Sequence, residues 1–295
     1  MIVFFNRKFF RLKPAYFAIT ALLIINICVW HSAFHRSDLL KITFLDVGHG
    51  DSAFVEFPGS GATMLIDGGK GYGGDMGRYI VEPFLRSRGV NKIDVVLATH
   101  PDEDHAGGLA TIIKKFKVRY FIDNGDESGA SFYSALKRII KERGIKSLIV
   151  KRGDRIKGFG DAEAEVLNPP AEKFPDKNNN SIVLKLAYDD FSALLCADVE
   201  GKAAREIAYH YKEKLDSDVC KVPHHGGSLG NFGREFITKI SPEIAVISLG
   251  YRGVNRSTGE LLRALKVRVY RTDTDGAVCL TTDGKRYKVK KFVKN

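Results

Sequence analysis

Between residues 93 and 108 the chain reads IDVVLATHPDEDHAGG. The apolar run from Val95 to Thr99 has no polar side to turn to water, the pattern of a strand covered on both faces in a sheet flanked by helices. Immediately past its carboxyl end come His100, Asp102, Asp104 and His105, packed into six positions and followed by Gly107 and Gly108. Open α/β sheets collect their ligands at that edge. A tight loop with this spacing can aim several imidazole and carboxylate groups into one pocket. That donor set suits zinc, manganese or iron and contains no thiolate. The alternative is an Asp-rich helix cap, with Asp104 capping a helix from Ala106 and the histidines incidental.

Strand-like and helical segments alternate through the rest of the chain. Period and turn signals predict strands at 41–47, 52–57, 63–67, 118–122, 147–151, 162–167, 181–187, 191–197, 218–222, 244–248, 268–271, 276–282 and 285–293, with Asp283–Gly284 as a hairpin turn. Helical spacing is expected at 77–89, 106–116, 131–143, 200–213, 232–240 and 258–266. This is one α/β domain over residues 37–295, without internal repeats. Cys28, Cys196, Cys220 and Cys279 form no closely spaced pair, against a disulfide framework or a thiolate zinc site.

The net charge of +11 invites a nucleic-acid reading, but its location weakens that inference. Residues 1–36 hold five basic residues and no acid, and residues 284–295 hold six and no acid, so residues 37–283 are formally neutral. The N-terminal charge has a separate explanation. Residues 15–34, AYFAITALLIINICVWHSAF, carry no formal charge and follow Arg7, Lys8, Arg11 and Lys13. The stretch approaches the ~20 residues of a membrane-spanning helix, and basic residues on its amino side favour an N-terminus held in the cytoplasm. A cleavage site would need small residues at alternating positions, which residues 30–33 do not supply. The expectation is a single-pass anchor in residues 1–36, with the domain on the periplasmic or exterior side. A buried helix of a soluble protein is the competing reading.

THPDEDHAGG (99–108) resembles the HxHxDH motif of the metallo-β-lactamase superfamily, with aspartate at the middle histidine. That variant is similar to the extracellular hydrolase domain of ComEC-type competence proteins, the DNA-uptake channels of bacteria. LDVGHGDSAFVEFPG (45–59), with His49 where glutamine is usual, MLIDGG (64–69), NNNSIVLKL (178–186), LLCADVE (194–200), KVPHHGG (221–227), AVISLG (245–250) and VYRTDTDGAV (269–278) follow in the family's order. The resemblance covers residues 41–283 and not the many membrane helices of the full channel. It implies an αββα sandwich, two sheets flanked by helices with metals at one edge.

The resemblance also implies a site. His100 and Asp102 match ligands of a first metal, and Asp104 and His105 match ligands of a second. Asp198 matches a bridging aspartate, although alone it reads as a helix cap before residues 200–213. His225 takes the place of a late second-metal ligand, a role its neighbour His224 could exchange with it. Asn178 and Asn180 stand near a missing histidine, as metal or substrate contacts or as a plain turn. Asp46 and Asp67 would support ligating histidines from behind. Oxygen donors in place of imidazole shift preference toward manganese, with zinc and magnesium also candidates. The activity implied is metal-dependent hydrolysis, as a phosphodiesterase or nuclease outside the cytoplasmic membrane, with Asp104 and Asp198 in catalytic roles and nucleic acid or another phosphodiester as substrate. One departure points elsewhere: residues 251–265 contain neither member of a His–Pro pair that the family often carries after AVISLG. That favours the alternative, a non-catalytic protein that binds DNA or an envelope polymer on the same fold.

Overall fold

A computed structural model of the chain describes residues 14–34, 37–250 and 253–293, with the side chains of residues 14–15 and 27–34 outside the description. The chain divides between Ser37 and Asp38 into two units. In the first, α1 (Pro14–Phe34) is helical over the stretch expected to be an anchor. The anchor itself is not upheld. Among the described residues no helix is long and apolar enough to cross a membrane. The preceding basic residues lie outside the described residues.

The second unit is built from two sheets. The chain first lays down β1 (Leu40–Phe44), β2 (Ala53–Glu56), β3 (Thr63–Ile66), β4 (Lys92–Leu97), β5 (Lys117–Asp123) and β6 (Lys146–Ile149). It then builds a second sheet from β7 (Arg155–Ile156), β8 (Glu163–Asn168), β9 (Val183–Tyr188), β10 (Phe191–Leu195), β11 (Val219–Lys221), β12 (Ile244–Ile247) and β13 (Arg268–Arg271). Finally β14 (Ala277–Thr282) and β15 (Tyr287–Phe292) return to the first sheet. The orders are β15-β14-β1-β2-β3-β4-β5-β6 and β13-β12-β11-β10-β9-β8-β7. Each sheet has a parallel half, β3 to β6 in the first and β10 to β13 in the second. Parallel neighbours need a crossover, usually a helix. Here these are α2 (Glu82–Ser87), α3 (Glu103–Ala106) with α4 (Leu109–Lys115), α5 (Ser131–Glu142), α6 (Gly201–Tyr211), α7 (Gly230–Ile240) and α8 (Arg256–Ala264).

Side-chain alternation sorts the core into three layers. On β4, Val95 and Leu97 pack between the sheets, whereas Val96 and Ala98 pack with Leu109, Ile112 and Leu136 of the helices. On β10, Ala193 and Leu195 face the inter-sheet layer, and Leu194 and Cys196 pack with Ile207, Phe236 and Leu261. Helices therefore cover the outer face of each sheet, the αββα order. Burial on both faces is why β4 and β10 read as unbroken apolar runs rather than alternating ones.

The helix expected over 106–116 is broken in two. A Cβ on Gly108 would lie 2.2 Å from the Gly68 carbonyl oxygen, so only glycine lets the loop after β4 pack backbone to backbone on the turn after β3. The Gly108 N–H donates to Gly69 O at 2.8 Å across that contact. Gly50 does the same on the other side: its φ is +133° and an added Cβ would sit 2.2 Å from Asp104 O. These contacts draw the loops after β1, β3 and β4 together at the strand ends.

Candidate metal centre

Each parallel strand delivers its polar residues just past its carboxyl end. Asp67 follows β3, with φ +58°. Its carboxylate accepts from Thr99 N at 2.8 Å and Thr99 Oγ1 at 2.7 Å, and lies 2.8 Å from His105 Nδ1. The Nδ1 side of His105 is thereby held, and Nε2 is left for the interior. His100, buried beside it, has Nδ1 3.0 Å from Thr99 Oγ1 and its ring centroid 4.2 Å from that of His105.

Asp198 enters from the other sheet, after β10. Its Oδ2 lies 3.3 Å from His105 Nε2, 3.4 Å from His225 Nε2 and 3.8 Å from His224 Nε2. Asp198 does not cap α6; the Asn179 side chain does, its Oδ1 accepting from Glu200 N and Ala203 N. Asp104 Oδ2 is 3.4 Å from His225 Nε2 and 3.7 Å from His49 Nε2. Potential ligand atoms thus gather as His100–His105–Asp198 and as His49–Asp104–His225, within 4.8 Å in each group. Consecutive residues of a helical turn point about 100° apart, which is why His105 joins His100 while Asp104 faces the other group.

Other candidates are placed differently. His224 and His225 both adopt left-handed backbone conformations, φ +45° and +51°, a strain of about 1–2 kcal/mol per residue. Only His225 is buried by the turn. His224 stays at the rim, its Nδ1 2.8 Å from Glu200 Oε1. Asp102 is also at the rim, its Oδ2 3.6 Å from His100 Nε2. Asn180 is not brought to the cluster: its Oδ1 accepts from Phe174 N and its Nδ2 donates to Phe174 O. Asn178 Nδ2 lies 3.5 Å from Glu200 Oε1. Asp46 is in none of the ligand groups among the described residues, and its Oδ1 accepts from Gly48 N at 3.3 Å.

Two buried residues escape sequence reasoning. Asp51 stands behind the histidines, its Oδ1 3.5 Å from His225 Nδ1 and its Oδ2 4.0 Å from His105 Nδ1. The same Oδ2 pairs with the Lys221 ammonium, buried on β11. His225 Nδ1 also lies 3.2 Å from Ser248 O. The available signal was the lysine itself: a charge inside the apolar strand DVCKVP must be paired to be buried.

The residues present fit divalent cations. His100 Nε2, His105 Nε2, His225 Nε2 and Asp198 Oδ1 are buried without a hydrogen-bond partner, a cost of about 1–3 kcal/mol each that structures rarely bear without a ligand. All are nitrogen or carboxylate donors, the set that first-row divalent ions take.

Electrostatics bind the cluster as it stands. Burial opposes the charged form of His105, but Asp198 and Asp67 beside it push its pKa well above the usual imidazole value. Burial likewise opposes His225, yet Asp51, Asp104 and Asp198 push it up to about 10. Burial would raise Asp198, but the two imidazoles hold it well below the usual carboxylate range. Without metal both imidazoles therefore keep their protons at pH 7, and these must leave when a cation binds. Titrating metal into chelator-treated protein at pH 7 is expected to release protons. Calorimetry in buffers of different ionisation enthalpy reads the count, and a buffer-independent heat would contradict the assignment. The raised His225 also stabilises the metal-free fold fully below pH 6.5, and that contribution is lost as pH rises through about 10.

Residues 45–251 match the family model described as the metallo-beta-lactamase superfamily. The chain is 32% identical over 255 residues to ComE operon protein 3 of Bacillus subtilis (strain 168), covering 81% of this chain and 32% of that protein. It is 27% identical over 243 residues to competence protein ComA of Neisseria gonorrhoeae, covering 80% and 31%. It thus spans about a third of the length of these curated relatives. Among solved structures, the metallo-beta-lactamase fold protein YhfI from Bacillus subtilis superposes with a TM-score of 0.58 at 8% identity, covering 82% of this chain and 100% of that one, a likeness of fold alone.

Proposed function

Because this chain belongs to the metallo-β-lactamase superfamily, we propose that it is a metal-dependent phosphodiesterase acting on nucleic acid. The observation that carries this reading is the set of orphaned, inward-facing imidazole nitrogens of His100, His105 and His225 around one buried carboxylate, Asp198. His100, His105 and Asp198 would hold one cation, with Asp102 at its rim. Asp104 and His225 would hold the other, with Asp198 reaching both. Bound there, divalent ions supply Lewis-acid charge for a phosphoryl oxygen and water ionised at neutral pH.

The chain's own groups do the rest. Asp67 and Asp51 hold the Nδ1 sides of the histidines, fixing ring orientation before substrate arrives. Asp104 is partly exposed, and His225 and His105 keep it ionised against burial, so it can accept a proton from the reacting water. His224, braced by Glu200, lines with His49 and Ser228 a pocket of about 520 Å3 that opens on the cluster. With cations to neutralise a phosphate, few basic side chains are needed at the reacting centre itself. Oxygen donors at Asp102, Asp104 and Asp198 favour manganese.

The name of one relative, competence protein ComA, places that protein in competence, and DNA handled during uptake is the substrate this reading assigns. The basic-then-apolar N-terminal sequence supports action outside the cytoplasmic membrane, which protease accessibility in intact cells tests. Purified full-length protein with added manganese is expected to cleave single-stranded DNA and bis(p-nitrophenyl) phosphate, with chelator abolishing both. Failure to cleave DNA, RNA or the small diester with any divalent ion would reject the reading in favour of a binding protein, the alternative that the missing His–Pro pair supports.

A further inference from the structure

The formal neutrality of residues 37–283 conceals a local asymmetry. Residues 253–271 contain Arg256, Arg263, Lys266, Arg268 and Arg271 against one acid, Glu260. They form the end of one strand connection, α8 and the edge strand β13. Between α8 and β13 runs an open groove of about 670 Å3. Its lining combines aliphatic Ile247, Val254, Leu262, Val267 and Val269 with Arg256, Arg263, Arg271 and one acid, Glu260. Val254 and Asn255 line this groove and also the pocket over His224 and His225, so the two share a wall.

We propose that this groove is the binding track for the nucleotides flanking the reacting phosphate of a single-stranded nucleic acid. The proposal rests on the phosphodiesterase reading for the position of the reacting phosphate, and on the groove for everything else. A small diester needs nothing beyond the cluster. A groove beside it, lined by aliphatic side chains and guanidiniums, matches a polymer that alternates apolar base faces with anionic phosphates. Single-strand binders combine a cationic path for the backbone with a stacking surface for the bases, commonly aromatic; here that surface is aliphatic. Two of the three guanidiniums are held in ion pairs: Arg256 Nε lies 2.9 Å from Glu260 Oε1, and Arg271 makes a two-bond contact with Asp273 at 3.0 and 2.6 Å. Arg263 makes no ion pair among the described residues.

Binding can be read without catalysis. Fluorescence anisotropy of a fluorescein-labelled oligothymidylate of about 12 nucleotides, within the range of single-strand site sizes, is measured against full-length protein in excess chelator across a salt series. The Arg256→Glu/Arg263→Glu variant is expected to weaken binding about tenfold or more, and to flatten the salt slope by about 1.4 for two lost phosphate contacts. Lys146→Glu, an exposed charge change on the distant edge strand β6, is the control and should shift affinity less than twofold. Equal loss in the control, or wild-type affinity in the double variant, overturns the proposal. So does poly-glutamate binding with the same affinity and the same arginine dependence, since the groove would then recognise an acidic peptide. Arginine-dependent oligonucleotide binding without hydrolysis of any diester supports the track while sinking the phosphodiesterase reading. Hydrolysis of the small diester without such binding does the reverse.

Discussion

Asp198→Ala is expected to lower phosphodiester kcat/KM by about 10³-fold or more, a loss of roughly 4 kcal/mol of transition-state stabilisation. Asp198 Oδ2 is the only carboxylate oxygen of the described residues within 3.5 Å of both His105 Nε2 and His225 Nε2. Removing it takes the shared anion from between the two ligand groups, and with it the site's ability to hold two cations close together. The same change removes the main charge that raises His105, so proton release on metal addition should fall as well. Asp198→Asn, which keeps shape and loses charge, should match the alanine variant in activity while preserving the circular dichroism of the wild type. Metal content of the purified variants gives a second readout. Either variant retaining activity within tenfold of wild type would show that Asp198 does not join the two groups.

Lys221→Met carries the largest expected effect on stability. The ammonium is 3% exposed, and its partner Asp51 is 7% exposed. The pair, with His225 and His105 beyond it, holds Asp51 far below the usual carboxylate range despite burial. Removing the lysine leaves a buried carboxylate short of its principal counter-charge, at a cost of about 3–5 kcal/mol. For a domain of this size that lowers Tm by about 10 °C. The sign of the pH dependence follows. Without Lys221 the pKa of Asp51 rises, so the deficit relative to wild type is largest at neutral pH and shrinks as pH falls and the carboxyl takes up a proton. Lys221→Met/Asp51→Asn removes both charges and should recover much of the loss, with a coupling energy readable in a double-mutant cycle. A Tm within 2 °C of wild type for the single variant would mean that Asp51 has another sufficient partner.

Local physics is what a sequence expresses, and residues 93–108 show how far it reaches. An apolar run too long to alternate declared β4 as buried on both faces, and the polar residues just past it declared a functional edge. Asp51 and Lys221 show where that legibility stops. Lys221 declares only that some counter-charge must exist, and its partner Asp51 lies 170 residues away along the chain. The grouping of ligands was hidden for the same reason. A linear spacing of His100, Asp102, Asp104 and His105 does not say which of them share a side, because α3 turns His105 toward Asp198 and Asp104 toward His225. Net charge misled most plainly: a sum over residues 37–283 cancels, whereas folding gathers Arg256, Arg263 and Arg271 along one groove that only one acid, Glu260, also lines.

Sequence alone therefore determined the α/β class and the chemical types at the edge, while a family resemblance suggested His100, His105, Asp198 and His225 as one motif series. Tertiary structure decided which atoms face inward, which residues hold them there and where the charge collects. The reason is range: hydrophobic period and turn chemistry act over a few residues, while burial, ion pairing and ligand convergence are properties of segments that meet only after the two sheets close on each other.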